Sequence, residues 1–113
     1  MGQLPVMEKQ QERKGEIMFN SKYFKLGQVV VTCRINNSIA ESLRFLNDVL
    51  LSMNRHCNKD WGDLSEEDKV MNDEAVRNGN DRIFSSYQTC EGKIWIITEE
   101  DRSVTTILFP DEY

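Results

Sequence analysis

Three groups of residues in this 113-residue chain are of types that do chemistry. His56 adjoins Cys57, and an imidazole beside a thiol makes a nucleophile, or two metal ligands, when both face one point. Neighbours on a helix diverge by about 100 degrees, which works against both uses. Asp81 is followed by Glu91-Gly92-Lys93, an outline of the D…ExK arrangement in which two carboxylates hold a divalent ion and a lysine assists phosphodiester cleavage. In such nucleases the ExK lies on a strand, whereas Glu91-Gly92 fits better as the reversal of a hairpin. The third group is acidic: Asp60-Trp61-Gly62-Asp63, then Glu66-Glu67-Asp68 with Asp73, then Glu99-Glu100-Asp101 beside Arg102. No Gly-rich phosphate loop, HExxH, GxSxG or paired CxxC is present, so an enzyme reading has no motif behind it.

The elements that must position these residues are legible from pattern. Gln28-Val29-Val30-Val31-Thr32-Cys33 is a β-branched run and predicts a buried strand. Ser38-Ile39-Ala40-Glu41 has the form of a capping box and predicts a helix start. From it, Ile39, Leu43, Leu46, Leu50, Met53 and Cys57 form one apolar stripe, with Phe45 and Leu51 left over for a second surface or for a break into two helices. Asn58 to Leu64 reads as a loop. Ser65 with Asp68 starts a second helix, whose first turn favours the carboxylates of Glu66, Glu67 and Asp68. That helix should end at Asn78-Gly79, carry Val70, Met71, Ala75 and Val76 inward and pair Asp73 with Arg77 outside. Residues 82–87, 93–98 and 104–109 predict three strands in a meander, closed by Pro110.

The expected fold is therefore α+β: a four-stranded, mostly antiparallel sheet with two helices packed on one face, in the order β-α-α-β-β-β. It forms a single domain over residues 19–113, behind a flexible tail at 1–18 that is poor in large apolar side chains.

The formal net charge is -5, from 14 Lys+Arg and 19 Asp+Glu, and it is unevenly spread. Residues 1–59 hold nine basic and five acidic side chains, residues 60–113 five and fourteen. The acidic half is ill suited to gripping phosphates and suits a basic partner or plain solubility. Three widely spaced cysteines make no disulfide framework and point to a reducing compartment. The N-terminus has no signal-like apolar stretch and no run approaches the length of a membrane span, so a cytoplasmic protein without a membrane partner is expected.

From Arg55 onward the order of residues resembles a family of small proteins encoded on phages, plasmids and other mobile elements. The matching run includes Arg55-His56, Asp60-Trp61-Gly62-Asp63, Glu67-Asp68, Asn72, Ala75, Gly79, Arg82, Ser85, Tyr87, Gly92-Lys93, Trp95-Ile96-Ile97-Thr98-Glu99, Asp101-Arg102-Ser103, Thr105-Thr106 and Glu112-Tyr113. Upstream, Leu26-Gly27-Gln28-Val29-Val30 resembles the family's opening strand. Lys59 departs from it, standing where a Gly is usual. The resemblance implies genomic company and a fold rather than a reaction.

The leading functional expectation is a non-enzymatic binding protein of a mobile element, acting on a protein partner with a basic surface. One version is a counter-defence inhibitor of anti-restriction or anti-CRISPR type, with carboxylates standing in for phosphates. The expected partner surface is Asp60, Trp61, Asp63, Glu67, Asp68, Asp73, Glu99, Glu100, Asp101 and Arg102, with Trp61 either pinning its loop to the core or facing the partner. No catalytic residue, metal or cofactor is assigned. The alternatives are a small metal-dependent hydrolase or nuclease using His56, Asp60, Asp63 or Asp101, and a nucleic-acid adaptor using Lys9, Arg13, Lys14, Lys22 and Lys25.

Overall fold

The computed structural model describes residues 19–113; the tail expected at 1–18 lies outside them. Its elements are β1 (Gln28–Val31), α1 (Cys33–Glu41), α2 (Leu43–Cys57), α3 (Glu66–Asn78), β2 (Ile83–Thr89), β3 (Gly92–Thr98) and β4 (Val104–Leu108), followed by a 3-10 turn at Pro110–Glu112. The α+β class and the order of strands agree with the sequence reading, with three helices in place of two.

The extra helix arises at two caps. Thr32, expected inside the first strand, has extended backbone and accepts from the amide of Ile35, which starts α1 five residues ahead of the anticipated capping box. Ser42 is also extended, at φ -146 and ψ 112, and accepts from the amide of Phe45, so one residue ends α1 and begins α2. The break resets the helical phase. Phe45, Val49, Ser52, Met53, His56 and Cys57 face inward on α2, while Leu43 and Leu51 are exposed and Leu46 and Leu50 half-buried.

The sheet has the order β1-β4-β3-β2. Hairpin connections make β2–β3 and β3–β4 antiparallel, and β1 joins the far edge parallel to β4. Register places Val29 and Val31 beside Thr105 and Ile107, then Ile94, Ile96 and Thr98, then Ile83, Ser85 and Tyr87 on one face. Ile35 of α1 and the inward residues of α2 pack there with Phe109 and Leu26. A smaller cluster of Trp61, Ala75 and Ile83 joins α3 to the β2 side of the same face. Among the described residues no helix is long and apolar enough to cross a membrane.

Candidate functional site

His56 lies under the sheet rather than at the surface. Its ring is fully buried, flanked edge-on by Phe24 and Trp61 at centroid distances of 5.5 and 5.8 Å. Both ring nitrogens meet hydroxyls, Nδ1 that of Ser85 and Nε2 that of Thr98 at 2.9 Å. The proton order is fixed from the far end. Thr105 donates to the carbonyl of Leu26 at 2.6 Å, so Thr98 must donate to Thr105, and His56 Nε2–H to Thr98. Nδ1 is left to accept from Ser85, in the arrangement of a serine–histidine pair. Both residues are sealed from solvent, however, and burial lowers the His56 pKa to about 3. This is a structural polar chain, neutral and satisfied. The neighbouring Cys57 thiol is also buried and its pKa is pushed up, the reverse of an activated nucleophile.

The loop after α2 is held by a different set of bonds. Lys59 adopts φ +64, the left-handed conformation that follows many helix ends. Asp60 takes a bidentate pair from Arg55 at 2.8 and 3.1 Å, which holds its carboxyl below the usual range, and its carbonyl accepts from the Tyr87 hydroxyl at 2.7 Å. Trp61 is 3% exposed and its indole donates to Asp73 at 3.0 Å. Gly62, at φ +78, bridges Ser86 so closely that a Cβ would stand 2.0 Å from the Ser86 carbonyl oxygen. Ser86 N donates to Trp61 O, and Asp63 N to Ser86 O at 2.7 Å. Asp60-Trp61-Gly62-Asp63 thus covers one stretch of the β2 edge. Asn72 covers another: its amide donates to Phe84 O at 2.6 Å and accepts from Phe84 N at 3.1 Å. Backbone groups that would otherwise template strand addition are occupied.

α3 begins at Ser65, whose hydroxyl accepts from Asp68 N, and ends at Gly79 in the left-handed conformation, as the sequence reading has it. Its faces differ from expectation. Val70 and Met71 are 55% and 58% exposed, and Asn72 takes an inward place beside Ala75. The reason is the sheet edge, which rewards an amide that meets both backbone groups of Phe84 more than another methyl group. Asp73 serves Trp61; among the described residues the ion pairs are Arg34–Asp111, Arg55–Asp60 and Lys69–Glu66, so the Asp73–Arg77 pair does not form.

The β3–β4 turn docks at the other end of α3 through Arg102. Its guanidinium donates to the carbonyls of Asp81, Glu99 and Glu100 at 2.7, 3.1 and 3.1 Å and to Ala75 O at 3.0 Å. Asp101 accepts from the amide and hydroxyl of Ser103, which lowers its pKa. A shallow cleft between Gly79-Asn80 and Glu99-Glu100-Asp101 marks the join.

The ten nominated residues therefore divide. Asp60, Trp61, Asp73, Asp101 and Arg102 are committed to internal contacts, whereas the carboxylates of Asp63, Glu67, Asp68, Glu99 and Glu100 are exposed without a partner among the described residues. α3 connects them: thirteen residues at about 1.5 Å each put the 63–68 carboxylates roughly 20 Å from the 99–100 pair, with Glu74, missed by the sequence reading, exposed between. The helical pattern was the available signal for Glu74.

The residues suggested for a metal site are not brought together. His56 is buried, Asp60 is on Arg55, and Asp101 is at the far end of α3; the described residues contain no group of three suitable ligands. Asp81 and Glu91 flank opposite ends of β2, about 23 Å apart for seven residues, and Glu91-Gly92 is the hairpin turn. Of the adaptor residues, Lys9, Arg13 and Lys14 lie outside the described residues; Lys22 sits 5.6 Å from the Tyr23 ring centroid. Comparison with protein families, with characterised proteins and with solved structures finds no match.

Proposed function

We propose that this chain is a non-enzymatic binding protein of a mobile genetic element that engages a basic protein partner through an acidic ridge centred on α3. One observation carries the proposal. Of the carboxylates without an internal partner among the described residues, Asp63, Glu67, Asp68, Glu74, Glu99 and Glu100 lie along one helix and the two turns docked at its ends, while Glu41 and Glu91 stand elsewhere. Solvation alone asks for dispersed charge of both signs. In the middle of the ridge stand the exposed Val70 and Met71, an apolar centre within a charged rim, which is the usual anatomy of a protein interface. The separation of about 20 Å also spans the phosphates of several nucleotides, which supports the narrower form of the proposal: a counter-defence inhibitor seated in a basic nucleic-acid groove of a restriction or CRISPR-type complex.

The test compares capture of host proteins by the intact protein and by a Glu67→Lys, Glu74→Lys, Glu100→Lys variant. The expected result is loss of specific partners from the variant, with a fall in stability of no more than about 1 kcal/mol, because none of the three side chains has a hydrogen-bonded partner and only Glu67 contributes to the first turn of α3. Binding to a captured partner should also weaken at least tenfold between roughly 50 and 300 mM salt. A partner retained by the variant and indifferent to salt sinks the acidic-ridge reading.

A further inference from the structure

Between α3 and the start of β2 lies a groove of about 260 Å³, lined by Asp68, Met71, Asn72, Asp81, Arg82 and Phe84. That volume is below the roughly 300–1,000 Å³ of small-molecule and cofactor sites and suits one inserted side chain. Asp68, Met71 and Asn72 are spaced to share one face of α3. Phe84, half-buried on β2, stands across from them.

The walls are fixed by internal contacts. Asn72 holds both backbone groups of Phe84, at 2.6 and 3.1 Å, and the Phe84 ring is braced edge-on by Trp95 at 5.0 Å. Asp81 adopts the left-handed conformation at φ +63, its Oδ1 accepting from the Arg82 amide at 2.8 Å and its carbonyl from Arg102 at 2.7 Å. Two features of the groove do nothing for the fold. Met71 is 58% exposed at the wall, although a helix packed beside a sheet ordinarily turns such a side chain inward. Arg82, the one cation in the lining, is drawn off: its guanidinium donates to the Tyr113 hydroxyl and lies 5.4 Å from the centroid of that ring. The Asp68 carboxylate and Oδ2 of Asp81 therefore keep no partner among the described residues.

We infer that this groove receives an arginine side chain of the basic partner and anchors the interface. The inference rests on the acidic-ridge reading and names the residue type that the ridge engages. An aromatic ring and a thioether beside unpaired carboxylates select arginine over lysine. A guanidinium is planar and weakly hydrated, so it lies flat on apolar surface while its edge donates to a carboxylate through two bonds. An ammonium holds its water more firmly and would be stripped of it there. A long side chain seated in a preformed pocket within a charged rim is the common form of an interface hot spot.

The test is an NMR titration of the full chain with N-acetyl-L-arginine methylamide, and separately with the lysine counterpart at equal ionic strength. Saturable shifts are expected at the Met71 methyl, the Asn72 side-chain amide and Phe84, with the lysine probe at least about fourfold weaker. An Asp68→Asn, Asp81→Asn variant should bind the arginine probe at least about fivefold more weakly, since Asn tolerates the left-handed conformation and still accepts from the Arg82 amide. Shifts that do not saturate, an equal response to both probes, or unchanged binding by the variant overturn the inference. The double variant should also release the host partners that charge reversal along the ridge releases. Partners lost on charge reversal but held by the double variant overturn the groove and leave the ridge standing. Partners indifferent to charge reversal sink the ridge, and the arginine site then stands on the probe titration alone.

Discussion

At the scale of single residues, the side chains that looked reactive are those the fold uses for itself. His56 is the clearest case, because its two neighbours are hydroxyls and no carboxylate stands near to stabilise a charged ring. Its folded pKa of about 3 lies below the ordinary value of 6.5, so the unfolded chain binds the proton more readily. Stability from this group is therefore complete above about pH 6.5 and is lost as pH falls towards 3. A loss on the order of 4 kcal/mol is expected across that interval at about 1.4 kcal/mol per unit, seen as falling Tm between pH 6.5 and 4, before Asp60 and Asp101 titrate. A His56→Gln variant should flatten that slope. Lys59 offers a residue-scale prediction of opposite sign. It holds a left-handed conformation at φ +64, which Gly adopts without a steric penalty. Lys59→Gly should raise stability by about 1 kcal/mol in urea unfolding, since a Cβ is disfavoured there by roughly that amount.

At the scale of elements, local signals read well at Ser65, Gly79 and the hairpin turns, but not at Ser38–Glu41, whose capping-box pattern lies inside α1. Ser65 and Gly79 bound α3 because a hydroxyl and a left-handed glycine satisfy orphan backbone groups with their immediate neighbours. The three β-strand runs and the Glu91-Gly92 turn were legible for the same reason. Helix faces were not, because a side chain's orientation depends on what stands opposite. Asn72 shows this: it is absent from the expected inward set of Val70, Met71, Ala75 and Val76, and the open edge of β2 draws it in. Asn72→Asp keeps one acceptor for Phe84 N but sets a carboxylate against Phe84 O. It should cost about 2 kcal/mol in denaturant midpoint analysis, the usual range for a buried polar group left in conflict. Ser42 had the same obscurity; a single extended residue divides a continuous apolar stripe into α1 and α2, and Leu43 and Leu51 then face water.

At the scale of the whole molecule, the acidic ridge depends on Arg102. Four carbonyls from α3, the β2 approach and the β3–β4 turn meet one guanidinium, so the 99–101 turn is fixed relative to α3. Arg102→Met keeps the aliphatic stem and removes all four hydrogen bonds. A loss of about 2 to 3 kcal/mol and faster amide exchange at Glu99–Ser103 are expected, with little change in α1 and α2. If the ridge acts as one surface, this variant should also weaken partner binding although it removes no carboxylate.

The sequence by itself determined the α+β class, the strands, the bounds of α3 and the concentration of acid beyond residue 60, because caps, turns and runs of β-branched residues act between near neighbours. Only the tertiary structure decided that Asp73 is occupied by Trp61, whereas Asp60 and Asp101 are taken by Arg55 and Ser103, their near neighbours in sequence. It likewise placed His56 among Ser85, Thr98 and Thr105, whose contacts span up to 42 residues of sequence for the ring itself. Hydrogen bonds and burial of that kind act over a few ångströms in space, and a pattern read along the chain carries no record of which distant residues the fold brings within that range.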